Sequence, residues 1–130
     1  MSTTLFVNLA VVDLDRSKEF FTKLGFEFFG MAEDMASVVI SERTQVMLIA
    51  TPTFAGYARN QVVDPTTSTE VILVFGLDNP KEVDELVDTA LAAGGTAVGE
   101  PVTAGGRYQR GFADLDGHQW SALCLVPAEG

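Results

Sequence analysis

The chain writes one order of elements twice: strand, helix, then three strands. Alternation of apolar and polar residues predicts strands over Leu5–Val12, Phe26–Met31, Met35–Ser41 and Gln45–Ala50, with a helix over Asp15–Leu24 following the first. The second run is a strand over Glu70–Leu77, a helix over Asn79–Ala93, then strands over Thr96–Gly99, Tyr108–Asp114 and Gln119–Leu125. This repeat predicts an α+β fold of two βαβββ modules, residues 1–50 and 70–130, joined by a loop over 51–69. A module of about sixty residues is marginal on its own. The two are therefore expected to share one core as a single domain over 1–130, with a curved mixed sheet around a cavity.

Helix starts and stops sharpen the pattern. Asn79-Pro80-Lys81-Glu82 reads as an N-cap, a proline in the first turn and a glutamate placed to close a capping box. Val83, Leu86, Val87, Ala90 and Leu91 then share one helical face, and Gly94-Gly95 ends it. In the first helix Asp15 is read as the N-cap, Phe20, Phe21 and Leu24 as the apolar stripe, and Gly25 as the stop. On the first strand Leu5, Val7, Leu9 and Val11 face one way and Phe6, Asn8, Ala10 and Val12 the other. Both faces are largely apolar, so one is expected to take the helix and the other to line the cavity. Phe54, Tyr57 and Val62-Val63 in the connecting loop fit a docked segment that covers a cavity or packs on a partner subunit.

Eighteen acidic residues against eight basic ones leave a formal charge of −10, which repels phosphate backbones and argues against nucleic acid as a partner. The single cysteine, Cys124, excludes an intramolecular disulfide and fits a reducing compartment. No apolar run reaches the roughly 18 residues of a membrane span, and no basic leader precedes the first strand. A cytoplasmic protein with no membrane partner is expected.

The repeat, the segment Phe6-Val7-Asn8-Leu9 running on to Asp13-Leu14-Asp15-Arg16, and the turn Asp114-Leu115-Asp116-Gly117-His118-Gln119-Trp120 resemble the vicinal oxygen chelate superfamily. That group holds glyoxalase I, bleomycin-resistance proteins and extradiol dioxygenases, and the likeness is greatest to small bacterial glyoxalase-like proteins. The resemblance implies a homodimer and four metal-ligand positions on the concave face of the sheets. Carried onto this sequence, the first position falls on Phe6 and the last on Ser121, four residues after Gly117. Aligning Gln45-Val46-Met47 with Gln119-Trp120-Ser121 places the first-module counterpart at Met47. Counting back nine residues from the caps Asp15 and Asn79 pairs Phe6 with Glu70. Phe6, Met47, Glu70 and Ser121 together offer one firm ligand, so no metal and no other cofactor is expected.

Glu70 is the candidate base, or else a solvated carboxylate at a strand end. Tyr108 and Arg110 share a strand face, either as an anion-binding pair aimed into the cavity or as salt-bridged surface residues, while Arg107 is expected to face solvent. Trp120 reads as core or interface packing or as a ligand wall, His118 as a turn residue, and Cys124 as a small buried hydrophobe. No glycine-rich phosphate loop and no nucleophile elbow is present. The resulting expectation is a glyoxalase/bleomycin-resistance-like protein that binds, and so sequesters, a small organic molecule in a metal-free cavity. Phe6, Met47, Phe54, Tyr57, Tyr108 and Trp120 would wall it, with Asn8, Arg110, Ser121 and Glu70 as polar groups. The alternatives are a superfamily lyase, isomerase or dioxygenase using Glu70 as base or a divergent metal site, and a sensor module with a vestigial cavity.

Overall fold

Asp13 turns the chain from β1 (Leu5–Val11) into α1 (Leu14–Lys23). Its carboxylate accepts the Arg16 N–H at 3.1 Å, so the N-cap is Asp13 rather than Asp15. Asp15 sits in the first turn, where its charge still meets the positive end of the helix. The computed structural model describes residues 3–126, the side chain of Met31 excepted. Residues 1, 2 and 127–130 of the expected modules lie outside the described residues. The chain divides into two units, Met1–Val63 and Asp64–Gly130.

In the first unit β2 (Glu27–Met31), β3 (Met35–Ser41) and β4 (Thr44–Ala50) join β1 in the order β1-β4-β3-β2. β1 runs parallel to β4, and the other pairs are antiparallel. Opposite residues on a ladder turn the same way, so Leu9, Leu48 and Ala36 form one row and Val7, Val46 and Val38 the next. Leu9, Leu48, Ala36, Val46 and Val38 are buried with Phe20 and Phe21, the stripe of α1, which packs on β3 and β4. Phe6, Asn8, Met47, Ser37 and Phe29 turn to the opposite face.

The expected loop over 51–69 opens instead with a helix, α2 (Thr51–Tyr57), packed on β1 and β4. Seven residues that include Pro52 and Gly56 and have no side-chain cap give no helical signal. Tertiary bonds hold it: Thr51 Oγ1 donates to the Val11 carbonyl and Thr53 Oγ1 to Asp34 Oδ2. Further along, Asp64 accepts both the N–H and the hydroxyl of Thr66, closing a tight turn that belongs to the second unit.

That unit repeats the first with β5 (Ile72–Leu77), α3 (Pro80–Ala92), β6 (Thr96–Ala104), β7 (Arg107–Ala113) and β8 (Gln119–Leu125) in the order β5-β8-β7-β6. Asn79 Oδ1 accepts the Glu82 N–H at 2.9 Å, and Glu82 reaches back to the Asp78 N–H, one residue before the cap. Replacing Asn79 with alanine is expected to remove about 1 kcal/mol of stability, read by urea titration. A loss below about 0.3 kcal/mol would show that tertiary contacts alone set the start of α3. β6 runs five residues past its expected end, through Gly99 and Pro101. Gly99 takes φ +67° at a bulge, and an outer strand tolerates a proline without losing a ladder bond. The outer strand of the first unit is built alike, with Gly30 at φ +69° in the bulge of β2.

Candidate functional site

The Asp114–Trp120 motif closes the β7–β8 connection and its polar atoms hold that turn. Asp114 Oδ1 accepts the N–H groups of Asp116 and His118, each at 3.0 Å, and Oδ2 accepts Trp120 Nε1–H at 2.9 Å. The Asp114 N–H in turn donates to the His118 carbonyl. Burial pushes the Asp114 carboxyl above the ordinary carboxylate range, against the pull of His118, Trp120 and the two amides. Gly117 takes φ +95°, and a side chain there would meet Thr66 and Pro65 at 3.0–3.2 Å, so the 64–66 turn rests against it. Trp120 is 2% exposed and stacks on Phe75 and Phe112, with centroids 5.1 and 6.4 Å apart. It belongs to the core beneath α3, not to an open wall.

Tyr108 and Arg110 share the parity of buried Phe112 and so face α3, which corrects their placement toward a cavity. The Tyr108 hydroxyl donates to Asp84 Oδ1 at 2.6 Å, and Arg110 Nη1 reaches Asp84 at 3.0 Å and Asp88 at 2.9 Å. These bonds clamp α3 onto β7. The Tyr108 bond holds the Asp84 carboxyl below its usual range, against desolvation and with help from Arg110. The same bond, with burial, pushes the Tyr108 hydroxyl up.

The face of the second sheet away from α3 carries a different set. Gly111, Ser121 and Val74 lie in one row, and Ile72 stands beside it opposite Gln119. Ser121 is 4% exposed; its hydroxyl donates to the Arg110 carbonyl at 3.1 Å and accepts Gln109 Nε2–H at 2.7 Å. Gln109 Oε1 accepts Arg107 Nε–H at 2.9 Å. Arg107 therefore lies on this open face, and Gln109, which the strand pattern did not single out, shares it. Phe112 held the missing signal: its parity commits Tyr108 and Arg110 to the core side and releases Arg107 and Gln109 to the other.

The true cap of α1 also moves an expected equivalence. Phe6 precedes Asp13 by seven residues, and the residue seven before Asn79 is Ile72. The ladders agree, since Phe6 lies opposite Gln45 and Ile72 opposite Gln119. Glu70 is exposed and lies outside β5, which begins two residues later than expected. The four positions thus read Phe6, Met47, Ile72 and Ser121. A phenyl ring, a thioether, an alkyl chain and a hydroxyl already bonded on both sides do not fit a divalent-metal centre. Among the described residues no group of three or more His, Cys, Asp or Glu is placed to hold a metal ion.

In the first unit Phe6, Asn8 and Met47 do share the open face, Asn8 directly opposite Met47. Phe6 is 53% and Phe29 69% exposed there. Phe54 is half-buried and Tyr57 exposed on α2, and Cys124 is buried on the α3 side of the second sheet. Among the described residues no helix is long and apolar enough to cross a membrane.

Comparison with known proteins agrees with this architecture. A sequence profile described as Glyoxalase/Bleomycin resistance protein/Dioxygenase superfamily matches residues 4–122. Among solved structures, a hypothetical protein from S. aureus is 34% identical, with a TM-score of 0.82 over 95% of this chain and 94% of that one. A glyoxalase-related enzyme from Fulvimarina pelagi is 17% identical with a TM-score of 0.82, covering 100% of this chain and 96% of that one. A glyoxalase/bleomycin resistance protein/dioxygenase family enzyme from Burkholderia phytofirmans PsJN is 18% identical with a TM-score of 0.77, covering 93% and 97%. No curated protein matches. Two four-stranded mixed sheets, each with its helices, and a profile match over nearly the whole chain place it plainly: the chain belongs to the glyoxalase/bleomycin resistance protein/dioxygenase superfamily.

Proposed function

We propose that this superfamily member binds a small organic molecule on its open sheet faces without a metal, sequestering it in the manner the bleomycin-resistance branch implies. It does so in the cytoplasm as a homodimer. One observation carries the reading: where the resemblance calls for metal ligands, exposed apolar side chains stand instead, Phe6 at 53% and Ile72 at 51%. On the first sheet Phe29 joins Phe6 and on the second Val74 joins Ile72, and grouped exposed apolar side chains of this kind mark binding surfaces. A lyase, isomerase or dioxygenase needs a placed base or a metal, and exposed Glu70 outside β5 favours neither.

Thermal unfolding of chelator-stripped protein tests the reading, with and without Ni²⁺, Co²⁺, Zn²⁺ and Mn²⁺. The expected result is an unchanged midpoint with every metal. A native metal site at a hundred times its dissociation constant would add about 2.7 kcal/mol, a rise of several degrees, and a rise specific to one metal would overturn the proposal.

A further inference from the structure

We propose that the open face of the second sheet selects an organic anion, with Arg107 receiving its carboxylate and Leu125 and Leu123, which stand opposite Arg107 and Gln109, its apolar body; this rests on the ligand-binding reading above. The argument starts at the sheet backbone. Ser121 is anchored on the Arg110 carbonyl, Gln109 is anchored on Ser121, and Arg107 Nε is anchored on Gln109. Three bonds in series, through two side chains, thus tie one guanidinium to the sheet, which removes part of the ordering entropy that a free arginine loses on binding.

The terminal nitrogens of that guanidinium are left largely unengaged. Nη1 makes only a long 3.4 Å contact to the Ala104 carbonyl, and among the described residues no carboxylate pairs with Arg107. Arg110, three residues on, has two. One N–H from each terminal nitrogen is therefore left for a planar, two-oxygen acceptor, the geometry a carboxylate supplies. Gly105 keeps that approach open: a side chain built there would stand 3.0 Å from Arg107 Nη1, and its φ of +62° also suits glycine.

Leu125, 77% exposed, stands opposite Arg107 on β8, and Leu123 stands opposite Gln109 on the same face. Gly76 lies beside Leu123 on β5 with open space where a side chain would stand. A cation with alkyl groups beside it describes a small acid with an apolar tail. The chain's charge of −10 works against any anion, but that field is screened beyond about 8 Å at physiological salt, whereas a guanidinium–carboxylate contact is made near 3 Å.

The test titrates the full chain with pairs of probes, each a straight- or branched-chain carboxylic acid of four to eight carbons and its own amide. NMR follows Arg107 Nε–Hε and the backbone amides of Gln109, Gly111 and Ser121. The acid is expected to bind about tenfold tighter than its amide. Arg107→Gln is expected to abolish that preference, Gln109→Leu to weaken it by unpinning the guanidinium, and Arg43→Gln, an exposed arginine of the other unit, to leave it intact. Equal binding of acid and amide would overturn the anion assignment and leave the ligand-binding reading standing. A preference that survives in Arg107→Gln, or is lost in Arg43→Gln, would overturn the role of Arg107. No perturbation by either member of any pair would overturn both proposals.

Discussion

Replacing Trp120 with alanine is expected to remove about 4 kcal/mol of stability, a large share of what a fold of this size commonly has. The indole is buried between Phe75 and Phe112 and lies opposite Leu73 on β5, so its loss opens a cavity under α3 that stacked rings cannot collapse to fill. The midpoint of thermal unfolding should fall by roughly 15 °C. Urea unfolding followed by far-ultraviolet circular dichroism is the measurement, because Trp120 is the sole tryptophan and fluorescence vanishes with it. Trp120→Phe keeps most of the apolar area but leaves Asp114 Oδ2 without its donor, and should cost about half as much. A loss under 1 kcal/mol for the alanine variant, paired with a fall in ligand affinity, would return Trp120 to the role of a binding wall.

Asp114→Asn is expected to cost about 2 kcal/mol at neutral pH. Three N–H groups converge on the carboxylate, two on Oδ1 and the Trp120 indole on Oδ2. An amide keeps one oxygen for the pair and turns an NH₂ group, or its like, against the third. The pH dependence has an uncommon sign. Burial raises the folded carboxyl above its unfolded value, so the folded chain holds the proton more tightly than the unfolded chain does. The stability Asp114 contributes is therefore greatest below the ordinary carboxylate range and is lost as pH rises through its raised folded value. An aspartate held down by a salt bridge behaves the other way. The gap between wild type and Asp114→Asn should narrow as pH climbs through that window, read from denaturant titrations across it. A gap that widens would show that the N–H donors outweigh burial.

Legibility of the chain followed the reach of each signal. α3 could be read directly, because Asn79, Pro80 and Gly94 are local marks acting on local backbone. α1 could be read as a helix, yet two aspartates two residues apart compete for one cap, and only the bond from Arg16 N–H chooses Asp13. That two-residue error spread: it made Glu70 the partner of Phe6 and left a carboxylate where Ile72 stands. α2 could not be read, since its stability comes from Val11 and Asp34 rather than from its own residues. On β7 the alternation was visible, but which parity faced α3 was not decided until Phe112 was tied to Trp120 across the ladder. Phe6, Asn8 and Met47 share a face, as the clean alternation of β1 implies, while Tyr108 and Arg110 turn to α3 and leave Arg107 and Gln109 on the other face of β7.

The bulges at Gly30 and Gly99 bear on how this protein behaves when it is crowded. Each breaks the regular row of N–H and C=O groups along an outer strand, β2 in one unit and β6 in the other. A straight, unbroken row would invite another chain to add a strand and grow into a fibre. Here a newcomer at β2 or β6 finds its register lost within a few residues. Straightening either strand by deleting its glycine should therefore raise the tendency to precipitate as ordered aggregate, even if the remaining fold is intact.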